Sequence, residues 1–138
     1  MTAGDDIAPE ENLGRDVFSS NQAKRAGRGK VPINIFLERE GEPRLSVDRL
    51  DLASWGEAAE IADRVAAGRG RTFYGWAVVD AETAARNGRQ VTASRQLDNP
   101  YHADIVLPDT AVEDREEQKR HAQELADASV WRHRDNDS

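Results

Sequence analysis

His102-Ala103-Asp104-Ile105-Val106-Leu107 (HADIVL) alternates between side chains suited to water and side chains suited to a core. Arg44–Leu50 (RLSVDRL) repeats the pattern. Strict alternation marks a half-buried strand, because successive side chains leave a strand on opposite faces. Leu45, Val47, Ala103, Ile105 and Leu107 therefore point inward. Ser46, Asp48, His102 and Asp104 point the other way. By the same parity Arg49 follows Leu45 and Val47 towards the interior.

Around these two stretches the pattern changes period. Ser54-Trp55-Gly56-Glu57 is a capping box, with Ser54 as the N-cap and Glu57 reaching back. It opens a helix whose apolar stripe is Trp55, Ala58, Ala59, Ala62, Val65 and Ala66, stopped by Gly68 and Gly70. Thr72–Val79 (TFYGWAVV) is apolar or aromatic on both parities and predicts a strand covered on both faces. Asp80 caps a short helix, and Gln90–Ser94 predicts a weak strand. A helix is expected from about Thr110 to Trp131. Val31–Glu38 (VPINIFLE) alternates through Ile33, Ile35 and Leu37, and predicts a strand in a hairpin with 44–50. The fold class is α+β: a small mixed sheet of four to five strands packed against two main helices.

The chain has 138 residues and a net charge of −7, with 33% charged residues, 38% hydrophobic ones and a mean hydropathy of −0.78. That length suits one domain. There is no cysteine, which excludes a disulfide scaffold and a cysteine-ligated zinc. No run approaches the roughly 18 apolar residues of a membrane span, and no basic start precedes an apolar stretch. A soluble cytoplasmic protein is the expectation. Residues 1–12 carry four acids and no base, and 132–138 are polar throughout. Neither end has apolar surface to offset its ordering entropy. The expected domain is therefore 15–131, between a disordered acidic tail at 1–14 and a second tail at 132–138.

Chemistry has few places to sit. His102 and Asp104 share a strand face, and a carboxylate beside an imidazole suits general acid–base work. A buried Arg49 needs a carboxylate or an anionic ligand, so it is the candidate anion holder. His121 has Glu117 and Glu124 at helical spacing, but no metal and no cofactor is expected. Arg15, Lys24, Arg25, Arg28 and Lys30 stand against one acid, Asp16, and form a candidate nucleic-acid or anion-binding segment over 15–30. Phe73-Tyr74-Gly75-Trp76 reads as core aromatics around a glycine. Phosphate-loop, dinucleotide, HExxH and GxSxG signatures are absent.

LSVDRL at 45–50, FYGWAVV at 73–79, NPYHADI at 99–105 and HAQELADAS at 121–129 together resemble a pattern of small bacterial α+β proteins with no assigned activity. The resemblance implies a self-contained bacterial domain from about Arg15 to Trp131 and transfers no catalytic residue. The segregated charge favours an accessory or regulatory binding protein acting through protein–protein contacts, with a protein partner expected ahead of nucleic acid and no membrane. The rival is a small enzyme on a phosphorylated or nucleotide-like substrate, using His102 and Asp104 with Arg49.

Overall fold

The computed structural model describes residues 7–52 and 54–135. They form an α+β fold around one antiparallel sheet. Its strands are β1 (Asn12–Val17), β2 (Arg44–Arg49), β3 (Gly75–Asp80), β4 (Gln90–Ala93), β5 (His102–Val106) and β6 (Val130–His133). Their spatial order is β4-β5-β2-β1-β3-β6. The helices are α1 (Ser20–Gly27), α2 (Trp55–Gly68), α3 (Ala81–Ala84), α4 (Asp109–Glu113) and α5 (Arg115–Ala128). The sheet thus has six strands, and every pairing is antiparallel rather than mixed. Among the described residues no helix is long and apolar enough to cross a membrane.

The alternating stretches fold as their parity predicts. Leu45, Val47, Ala103, Ile105 and Leu107 are buried against α1, α3, α4 and α5, together with Leu13, Val17, Ala77 and Val79. The opposite face is covered only in part. There α2 lays Ala58, Ala59, Ala62 and Ala66 over Leu50, Phe73 and Trp76. Its Ser54 cap is formed as expected, accepting from the Glu57 amide. A helix face of alanines packs close to the strands beneath it, and what lies beyond it on β2, β5 and β4 stays open.

Four expectations are corrected. First, the acidic tail over 1–14 ends too late: Asn12, Gly14 and their neighbours form β1, an interior strand between β2 and β3. Residues 1–6 of that tail lie outside the described residues. Second, Ile33–Ile35 is a single 3-10 turn entered from Pro32. It cannot pair with β2, because both edges of β2 are taken by β1 and β5. Its apolar residues still serve the core, with Ile35 and Phe36 buried in succession. Third, the expected helix to Trp131 breaks twice. Asp114 is extended and caps α5 through the Glu116 amide, and Val130–His133 is a strand. Fourth, that strand takes in Arg132 and His133, so the second tail also begins too early. Its last residues, 136–138, lie outside the described residues.

Candidate functional site

The open part of the sheet is the floor of a groove of about 1150 Å3. Its floor is set by register. Asp48 stands opposite His102, and Ser46 opposite Asp104, across β2 and β5. Directly opposed residues on one face of an antiparallel pair bring their Cβ atoms to about 5 Å. Asp16 of β1 adds a third carboxylate to the floor, and Glu38, Glu42 and Asp98 also line the groove. Arg64 of α2, Arg69 just after it, Arg44 from the start of β2, and Arg95 from the loop after β4 line the groove with cations.

Asp48 is buried, and each of its oxygens accepts one hydrogen bond. Trp76 Nε1 donates to Oδ2 at 3.2 Å, and Asn99 Nδ2 donates to Oδ1 at 3.2 Å. The Asn99 side chain is itself oriented, because its Oδ1 accepts from the Tyr101 amide at 3.1 Å. Trp76 belongs to β3, and β1 lies between β3 and β2. The indole reaches Asp48 only by passing over Gly14. A Cβ there would stand 2.7 Å from both Trp76 Cδ1 and Leu50 Cδ1.

Asp16 lies within hydrogen-bonding reach of Asp48. Burial first, and then the charge and hydrogen bond of Asp48, push the Asp16 carboxyl well above the ordinary carboxylate range, while Arg15 and Trp76 pull weakly the other way. Beside the Asp48 carboxylate the raised Asp16 carboxyl favours its protonated form. One oxygen of Asp16, Oδ1, is out of solvent with no hydrogen-bond partner. A buried polar atom left unpaired costs about 1–3 kcal/mol and calls for a reason.

His102 and Asp104, the pair expected from parity, both line the groove. His102 Nδ1 is held by Ser94, 2.6 Å from its Oγ and 3.2 Å from its carbonyl oxygen. Nε2 is therefore the ring nitrogen left to meet a ligand. Arg49 does not join them. Its side chain crosses to the helix-covered face, where the guanidinium binds both oxygens of Glu11 at 2.7 and 2.9 Å. The proposed His102–Asp104–Arg49 cluster is corrected on that ground: neighbouring strand residues point to opposite faces, so Arg49 and Asp48 cannot share a site.

The basic segment is divided as well. The Arg15 guanidinium fills the gap where β1 and β2 diverge, donating to the carbonyls of Ile35 at 2.9 Å and Ser46 at 3.0 Å and pairing with Glu38. Lys24 and Arg25 lie in the last turns of α1, and Arg28 and Lys30 follow it, all four exposed. His121 is buried behind the opposite face, with Nδ1 2.8 Å from Arg89. Among the described residues no cluster of three or more histidines and acids is placed to hold a metal.

The sequence reading missed Asp16, Trp76, Asn99 and Ser94 as site residues. The signal for Asp16 was present in Leu13, Arg15 and Val17, whose parity puts Asp16 on the face of Gly14. No family model, curated protein or solved structure matches this chain.

Proposed function

We propose that the protein is a small acid–base enzyme that takes a phosphorylated, hydroxyl-bearing substrate of the sugar-phosphate or nucleotide class in the open groove. The observation that carries this reading is the contact of Asp16, its carboxyl raised, with Asp48 in the lining of the groove. Asp16 holds the transferable proton, and Asp48, fixed by Trp76 and Asn99, accepts one in return. The proton passes back through the Asp16–Asp48 contact, so the pair ends each turn as it began. Carboxyls of glycoside chemistry stand about 5 Å or more apart, and the contact between these two argues against that reaction. Arg64, Arg69 and Arg44 take over the anion-holding role first given to Arg49. This reading places the enzyme alternative ahead of the accessory one.

A thermal-shift panel of nucleoside monophosphates, sugar phosphates and their dephosphorylated counterparts tests it. A ligand at about 100 times its Kd stabilises the native state by roughly 2.7 kcal/mol. At least one phosphorylated compound is expected to raise Tm, and its turnover, followed by NMR, is expected to stop in Asp48→Asn. The shift should shrink in Arg64→Ala/Arg69→Ala. Equal shifts from the dephosphorylated compounds, or none from any, sink the proposal.

Asp16→Asn gives a second, ligand-free check. A carboxyl whose folded pKa is raised stabilises the fold below its unfolded pKa, about 3.9, and loses that contribution as pH rises through the folded value. Asparagine carries no such loss. The variant is expected to match the wild type near pH 3.5 and to exceed it by about 1 kcal/mol at pH 7, within the range common for single stabilising substitutions. Chemical denaturation across that range measures it. A variant less stable at pH 7, or a gap that does not change with pH, contradicts the raised Asp16 carboxyl.

A further inference from the structure

β6 is the last strand of the sheet, and among the described residues nothing pairs with its outer edge. The Arg134 amide donates to the Tyr74 carbonyl at 3.1 Å. Alternation along an antiparallel ladder then turns the amides of Arg132 and Val130 towards β3, and those of Trp131 and His133 outward. An open edge of this kind is a template for another strand.

The two sides of this edge differ. On the groove-side face lies Val130, 69% exposed, with the half-buried Val78 opposite it. Arg132 is stacked on the Trp55 ring at 3.5 Å. A cleft of about 390 Å3 opens there, lined by Val130, Val78, Trp55 and Trp131 among others. On the other face Trp131 packs under α1, where a Cβ on Gly27 would lie 3.9 Å from its Nε1. That contact brings the exposed Lys24, Arg25 and Arg28 to the same side of the edge. None of the three is ion-paired among the described residues. The chain as a whole is acidic at −7, so this is a local reversal of sign.

We infer that the outer edge of β6 is a docking strand for an extended acidic peptide segment of a partner protein, in which acids alternate with aliphatic residues. Added as a seventh strand, such a segment turns its aliphatic side chains to Val130 and the cleft beside Trp55 and Val78. Its acids then face Lys24, Arg25 and Arg28. Main-chain bonds supply affinity and the alternating side chains supply selectivity. Four residues of β6 match a partner stretch of about four to six. A nucleic acid would use the cations but neither the main-chain donors nor the valine.

The probe is an acetylated eight-residue peptide alternating valine and glutamate, titrated into the whole protein and followed by tryptophan fluorescence and amide exchange. It is expected to bind, to slow exchange at Trp131 and His133, and to lose at least tenfold in affinity in Lys24→Glu/Arg28→Glu. A copy N-methylated along its pairing edge keeps every side chain and is expected not to bind. Equal binding of the N-methylated peptide overturns the inference. So does tighter binding of a valine–lysine peptide or a single-stranded oligonucleotide, unchanged exchange at the two amides, or a β6-paired dimer of the protein itself in sedimentation.

Discussion

Gly14→Ala is expected to cost about 2–3 kcal/mol of stability and to lower Tm by roughly 6–12 °C, although alanine is the better strand residue. Intrinsic preference favours alanine over glycine by about 0.5–1 kcal/mol. The new methyl, however, would sit 2.7 Å from Leu50 Cδ1 and from Trp76 Cδ1, both fully buried. Neither has free space to retreat into, so overpacking wins and the indole moves. Its Nε1 then leaves Asp48 Oδ2, and a buried carboxylate oxygen loses its donor. Two further readouts separate this account from a general weakening of β1. Near-ultraviolet circular dichroism should report the displaced Trp76. In a Leu50→Ala background, where one of the two obstacles is gone, the cost of Gly14→Ala should fall by at least 1 kcal/mol. A Gly14→Ala protein within 0.5 kcal/mol of the wild type would falsify the close-approach argument.

Gly14 also shows why the fold was only partly legible. β2, β5 and α2 announce themselves because one repeat period runs through each, and β3 because it is apolar on both parities. β1 does not. Its core-facing residues include Leu13 and Val17, but its other face is Asn12, Gly14 and Asp16, a polar residue, a gap for an indole and a buried acid. Each is there for a tertiary reason that no local pattern encodes, and flanking acids made the segment look like a tail. The 3-10 turn at Ile33–Ile35 failed the opposite way. Its alternation was real, but whether β2 had a free edge depended on pairings with β1 and β5. For the site, parity placed His102 and Asp104 on the groove side and Arg49 inward, while the partner of Arg49, Glu11, sat in the presumed tail. The Asp16–Asp48 pair joins residues on different strands, and Asn99 reaches it from a loop. Such convergence is a property of strand order, which the sequence reading left open.

Arg89→Ala is expected to be the most damaging single change in the molecule, costing about 3–4 kcal/mol. The Arg89 side chain is fully buried. It donates to the Thr83 and Ala84 carbonyls at the end of α3, at 3.0 and 2.9 Å, to Glu124 at 3.1 Å, and to His121 Nδ1 at 2.8 Å. Alanine leaves the Thr83 and Ala84 carbonyls and His121 Nδ1 without this donor at once, while Glu124 keeps Asn87, and it opens a cavity. Lysine, with a single point of charge, cannot reproduce the fork, so Arg89→Lys should recover less than half of the loss. The cluster also carries a pH signature. Nδ1 can accept from Arg89 only while the ring is neutral. Burial first, and then the Arg89 guanidinium, hold the His121 ring below the ordinary histidine value. With the folded pKa below the unfolded one, the unfolded chain binds the proton first, so stability rises with pH across that window. It is lost as pH falls from about 6.5 towards the folded value. Urea denaturation between pH 5 and 8 should show that slope in the wild type and a flatter one in His121→Gln. A wild-type curve that is flat over this range, or an Arg89→Ala protein that unfolds within 1 kcal/mol of the wild type, would remove the cluster from any role in holding α3 against α5.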